Sequence, residues 1–132
     1  MKRILTTVLV LALVSLAALA FAQGKSEMKA HGMGMGGKTG TWKGEVLDSG
    51  CYISHNAQGA KHKECAMKCA SEGMPLLLLV GDKAYLLTPN HDNADPYNQL
   101  KSFAGSVVEV TGTLGSRGGI SGIDVTGVKA VK

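Results

Sequence analysis

The sequence predicts a small, mostly β domain in which five strands close into an antiparallel barrel, with one or two short helices. Two pairs of apolar runs are separated by turn residues, at Gly81-Asp82 and at residues 115–119, as in β-hairpins. Glycine also interrupts the strand patterns, where it marks bulges or tight coiling, at Gly112, Gly122 and Gly127. Such coiling favours a closed barrel over a flat sheet. An open α+β roll is the alternative.

The five strands are identified by their hydrophobic patterns. Order is expected to begin at Thr41, because TWKGEVLD alternates apolar and polar residues as a half-buried strand does. The other four strands are predicted from the runs PLLLLV, KAYLLT, SVVEVTGTL and ISGIDVTGVKAV. Between the third and fourth strands, Pro96–Phe103 is predicted to form a short helix that ends near Gly105.

The first 22 residues have the pattern of a cleaved signal peptide. Lys2 and Arg3 precede a nearly unbroken apolar stretch, and Ala20-Phe21-Ala22 matches the A-x-A cleavage site. An uncleaved membrane anchor is the alternative, because the apolar run is close to the minimum length of a membrane span. We predict cleavage after Ala22, export to the periplasm or the medium, and no stable membrane anchor in the mature protein.

The charge of the mature chain argues against a nucleic-acid partner. Removal of Lys2 and Arg3 lowers the formal net charge from +4 to +2, which is too small to indicate nucleic acid or an anionic membrane surface. The chain also lacks the basic groove and dense aromatic side chains that single-stranded nucleic acid requires. The expected partners are therefore a metal ion or an unidentified protein.

Residues 23–40 are predicted to be a flexible linker that precedes a single domain at 41–132. The segment is rich in glycine and lysine and has no hydrophobic period. It carries soft thioethers and an imidazole at close spacing, at Met28, His31, Met33 and Met35. Because soft sulfur ligands suit Cu(I), these residues are candidate copper ligands. A solvated tail with incidental methionines is the alternative.

Residues 48–73 hold all three cysteines and two of the four histidines. A helix over Lys61–Glu72, at about 100° per residue, would place three chemically active side chains on one inward face, namely His62, Cys65 and Cys69. Gly73 and the proline two residues later form a helix stop. Cys51 arrives from the preceding segment, so the sequence predicts a cysteine-histidine centre.

Three hypotheses account for this centre. The first is a metal site for zinc or Cu(I), formed by Cys51, His62, Cys65 and Cys69, because both metals accept thiolate and imidazole ligands. His55, four residues after Cys51, is an accessory or substitute ligand.

The second hypothesis is a structural disulfide between Cys51 and either Cys65 or Cys69, in an interaction module without a metal. Such a bond would lower the conformational entropy of the unfolded chain and so stabilise the folded domain by about 3 kcal/mol. The remaining cysteine would then be a small apolar side chain.

The third hypothesis is thiol redox chemistry at Cys65, whose nucleophilicity nearby lysines would favour. The spacing C-x-x-x-C differs from the C-x-x-C of disulfide oxidoreductases, and the sequence contains no nucleophile–base constellation. We therefore predict a binding or structural role rather than turnover.

Four motifs resemble those of a group of small exported bacterial hypothetical proteins. They are D-x-x-C at Asp48–Cys51, H-x-x-C-A-x-x-C at His62–Cys69, Y-x-L at Tyr85–Leu87 and V-x-V-x-G-x-L at Val108–Leu114. The resemblance covers Thr41–Lys132 and excludes the methionine-rich tail. It implies an OB-like barrel and export, and it implies no activity, since a fold does not determine a function.

Overall fold

The structure is a computed structural model that describes residues 37–131. The strands are β1 (Lys38–Asp48), β2 (Leu76–Val80), β3 (Lys83–Pro89), β4 (Val107–Arg117) and β5 (Ile120–Ala130). The α-helices of the described range are α1 (Ser49–His55), α2 (Lys63–Ser71) and α3 (Asp95–Leu100), with 3-10 turns at Ala60–His62 and Lys101–Phe103. The signal peptide at 1–22 and the tail residues Met28, His31, Met33 and Met35 lie outside the described residues.

The five strands form a closed barrel in the order β1-β2-β3-β5-β4, with β4 returning to β1. This confirms the predicted small, OB-like barrel. Four of the pairs are antiparallel, and the pairing of β3 with β5 is parallel, so the barrel is mixed rather than wholly antiparallel. A parallel pair requires a long crossover connection, which α3 and β4 provide between these two strands.

Strand β1 links both sides of the barrel. Its first part pairs with β4 from Lys38 to Glu45, and its last four residues, Glu45–Asp48, pair with β2. The strand begins at Lys38, three residues before the predicted start at Thr41, because Lys38–Gly40 pair with Gly112–Leu114 of β4. The last residues of the predicted linker therefore belong to the barrel.

The barrel interior is filled by branched aliphatic side chains that alternate along the strands, as a half-buried strand requires. The fully buried members include Val46, Leu76, Leu78, Leu87, Val108, Val110, Ile123 and Val125. Helix α2 adds Ala66 and Ala70 to this core, and α3 adds Leu100. Among residues 37–131, none of the helices has the length and apolar composition needed to cross a membrane.

Glycine residues form the turn of the β4–β5 hairpin and mark the point where the register of that hairpin shifts. The β4–β5 hairpin turns at Gly118 and Gly119, both with positive φ (60° and 82°), as a two-residue hairpin turn favours. The register of this hairpin shifts between Thr111 and Gly112. A Cβ at Gly112 would overlap the backbone oxygen of Asp124 in β5, so this position excludes a side chain.

Candidate metal centre

The centre is built on Asp48, the last residue of β1 and the N-cap of α1. Its Oδ1 accepts a hydrogen bond of 2.9 Å from the backbone N–H of Cys51, as N-cap side chains do. Helix α1 is not among the one or two short helices predicted from the sequence. Helix α1 has only seven residues and no buried side chain, so its formation depends on its caps rather than on packing.

The end of α1 is fixed as firmly as its start. Asn56 takes the left-handed conformation (φ 52°), and its N–H donates to carbonyl groups in the first turn of α1, at Cys51 and Tyr52. The side chain of Glu45 in β1 accepts a hydrogen bond from the N–H of Gly59. The loop after α1 is thus bound to β1, and the 3-10 turn that follows returns the chain to Asp48.

His62, at the end of that turn, pairs with Asp48. Its Nε2 lies 3.2 Å from Asp48 Oδ2, and the two side chains are 18% and 1% exposed. When Nε2 donates its proton to Asp48 Oδ2, the lone pair of the imidazole is on Nδ1, the nitrogen that can then bind a metal. A carboxylate that fixes the tautomer and orientation of a histidine is typical of histidine metal ligands.

The three cysteine sulfurs form a cluster in which Cys51, Cys65 and Cys69 all lie within 4.8 Å of one another. Cys51 also belongs to a second group, in which its sulfur lies within 4.8 Å of ligand atoms of Asp48 and His62. In the described part of the chain no disulfide joins the three cysteines. We call Cys51, Cys65 and Cys69 the thiol cluster. It has the donor atoms and the spacing to hold a soft metal ion.

The surroundings of the thiol cluster disfavour ionised sulfur. Burial, the Asp48 carboxylate and the Cys65 thiol together raise the pKa of Cys51 to about 12. Burial also raises the pKa of Cys69, and a hydrogen bond from Cys51 offsets part of that effect. Since a metal binds the thiolate, an ion that enters the thiol cluster must displace protons.

The thiols lie at the edge of the core and do not point into it as the predicted helix implied. Helix α2 begins at Lys63 rather than Lys61, and its buried face consists of Ala66 and Ala70. Cys65 and Cys69 each come directly before one of these alanines, so each sulfur lies about 100° around the helix from the buried face. Cys65 is therefore exposed and Cys69 half-buried. Such a position gives an ion a route to the sulfurs from solvent.

The structure brings the three predicted cysteine ligands together in one group and places His62 in a second group with Cys51 and Asp48, but it does not bring in the accessory ligand. His55 is exposed at the last position of α1 and belongs to neither group of ligand atoms. No site role was predicted for Asp48 or Glu45. Asp48 could have been found, because Asp before Ser-Gly-Cys is a helix N-cap pattern. Glu45 gave no signal, since a polar residue in an alternating strand looks like any solvent-facing position.

Comparison with descriptions of protein families, with curated proteins and with solved structures found no match to this chain. The resemblance to exported bacterial proteins stays a prediction. The function is therefore inferred from the chemistry of the site alone.

Proposed function

We propose that this chain is an exported metal-binding protein whose centre is the thiol cluster, with His62 as its nitrogen ligand. In this proposal Asp48 holds the imidazole and the start of α1, and so positions two ligands at once. The observation that carries the proposal is the convergence of three sulfurs to within 4.8 Å from two separate helices, with Cys51 shared between that cluster and the Asp48–His62 pair.

A metal accounts for more of this arrangement than a disulfide does. A disulfide would use two sulfurs and leave the third cysteine and the Asp48–His62 pair without a role. A soft metal ion would bind all three sulfurs and give the adjacent Asp48–His62 pair a role, since zinc and Cu(I) both accept imidazole as well as thiolate. The expected role is binding, as storage, delivery or sensing of the ion, rather than turnover.

The test measures metal content and thiol count together in the full chain. The protein is purified anaerobically, loaded with one equivalent of Zn²⁺ or Cu(I), and weighed by native mass spectrometry. A second sample is denatured with a chelator and alkylated, which counts free thiols. We expect one bound ion and three alkylated cysteines.

His62→Ala tests the nitrogen ligand, and His91→Ala is the matched control, because His91 is exposed in a loop and belongs to neither ligand group. We expect His62→Ala to lower metal affinity at least about tenfold, as loss of even a supporting residue does, and His91→Ala to leave it unchanged. A protein with no bound ion and only one alkylated cysteine would overturn the proposal and favour the disulfide.

A further inference from the structure

Met74 lies between the two helices that supply the thiol cluster. Its backbone N–H donates to the carbonyl oxygen of Cys69 at 3.0 Å, which fixes it to the end of α2. The next residue, Pro75, accepts a hydrogen bond of 2.9 Å from the N–H of Ser49, the first residue of α1. The backbone on both sides of the Met74 side chain is thus tied to the elements that carry the cysteines.

The thioether of Met74 occupies the space that a side chain at Gly50 would fill. A Cβ at Gly50 would lie 3.2 Å from Met74 Sδ, 3.0 Å from its Cε and 3.7 Å from Asp48 Oδ1. Gly50 is not among the residues with positive φ, so its backbone does not require glycine. A side chain at Gly50 would instead displace the end of the Met74 side chain by a few tenths of an ångström. The sulfur of Met74 therefore lies over the first turn of α1, beside Asp48 and one residue before Cys51.

Building on the proposed function, we propose that Met74 supplies a thioether ligand and that the ion of the thiol cluster is Cu(I). Thioether sulfur is a ligand for Cu(I), whereas protein zinc sites use thiolate, imidazole and carboxylate. Among residues 37–131 the three cysteine sulfurs form a group of their own, and His62 lies in a second group with Cys51 and Asp48, so most donors next to the ion would be sulfur. Three close thiols, with a thioether beside the residue that precedes Cys51, are a sulfur-rich set that suits Cu(I).

The exposure of Met74 fits a ligand on the path of an incoming ion. Its side chain is 38% exposed although its sulfur lies against the first turn of α1. Met67 is exposed to the same degree, at 37%, and lies on α2 itself. Met67 is two residues from Cys65 and two from Cys69, so its side chain lies about 200° around the helix from both and points away from them. It therefore serves as the matched control for Met74.

The experiment compares Cu(I) and Zn²⁺ affinities of full-length variants. All of them carry leucine at the tail methionines and His31→Ala, so that the tail does not compete for copper. Cu(I) affinity is measured anaerobically by competition with a chromophoric Cu(I) chelator, and Zn²⁺ affinity with a zinc chelator. Leucine conserves the volume of methionine and removes only the sulfur.

We expect Met74→Leu to lower Cu(I) affinity at least about tenfold and to change Zn²⁺ affinity by less than about twofold, with Met67→Leu unchanged in both. Gly50→Ala keeps the methionine but displaces its thioether, and should lower Cu(I) affinity in the same way. X-ray absorption of the copper complex should lose one sulfur neighbour in Met74→Leu. Unfolding curves of the metal-free proteins check that each variant is folded.

The outcomes separate the two proposals. If Met74→Leu binds Cu(I) as tightly as the parent, or if Met67→Leu is equally impaired, the role of Met74 is overturned and the metal site stands. A parent that binds Zn²⁺ but not Cu(I) overturns the copper assignment alone. A parent that binds neither ion overturns the proposed function and this inference with it. Should Gly50→Ala fail to fold, Met74→Leu still decides the question.

Discussion

Replacing Asp48 with alanine removes two interactions, because each carboxylate oxygen has its own partner. Oδ1 caps α1 through the N–H of Cys51 at 2.9 Å, and Oδ2 pairs with His62 at 3.2 Å. Loss of an N-cap costs about 1 kcal/mol, and loss of a hydrogen bond to a charged group costs about 1.5–3 kcal/mol. We expect the free energy of unfolding to fall by about 3 kcal/mol.

The burial of Asp48 supports this large a loss of stability, because the residue is 1% exposed and water cannot easily replace its two partners. Helix α1 also has no buried side chain that would hold it in place without the cap. Loss of the cap should therefore free Cys51 from the thiol cluster. In Asp48→Ala we expect weaker metal binding as well as lower stability.

Asp48→Asn separates the two interactions. The amide oxygen of asparagine caps a helix as well as a carboxylate does, whereas the amide cannot reproduce the charged acceptor that faces His62. We expect Asp48→Asn to lose about 1–2 kcal/mol, roughly half the loss of Asp48→Ala. Its metal affinity should fall about 10–100-fold, as it does when the carboxylate behind a histidine ligand is removed.

The assay is urea unfolding of the reduced, metal-free full chain, followed by far-UV circular dichroism, with metal affinity measured on the same samples. The reasoning is refuted if Asp48→Ala changes the free energy of unfolding by less than about 0.5 kcal/mol, the usual effect of a surface substitution. An equal loss of stability in Asp48→Asn and Asp48→Ala would show that the cap contributes nothing.

Two further predictions concern the barrel. Gly112→Ala should lower the free energy of unfolding by about 1–3 kcal/mol or more, because the added Cβ would overlap the backbone oxygen of Asp124. Gly127→Ala is the control, since its Cβ would meet nothing closer than 3.6 Å. An equal loss of stability in the two variants, measured by thermal unfolding, would contradict the steric argument. Burial raises the pKa of Tyr97, partly offset by a hydrogen bond with the backbone of Leu76. The folded protein therefore favours the protonated phenol of Tyr97. This stabilisation is fully present below about pH 10, the pKa of tyrosine in the unfolded chain, and is lost as the pH rises through the higher pKa of the folded state. Tyr97→Phe should show a shallower fall in stability above that pH, and identical pH profiles of the two proteins would rule this out.

The five strands and both hairpins were predictable because their signals are local. Alternation of apolar and polar residues sets the buried face of each strand, and glycine-containing turns set the two hairpins. The parallel pairing of β3 with β5 had no such signal, because it joins residues such as Leu87 and Ile123 that lie far apart in the chain. The start of β1 at Lys38 was equally hidden, since it depends on pairing with β4.

The sequence by itself determined which donor atoms the centre offers. Three cysteines and two histidines lie within the 19 residues Cys51–Cys69, and those in the second half have helical spacing, so a sulfur-rich site is predicted without any structure. Only the tertiary structure decided what surrounds them. It placed the Asp48 carboxylate against His62, tied the connecting loop to Glu45, and laid the Met74 thioether over Gly50. These contacts follow from where β1 ends relative to the two helices, and no local sequence pattern encodes a distance between separate elements.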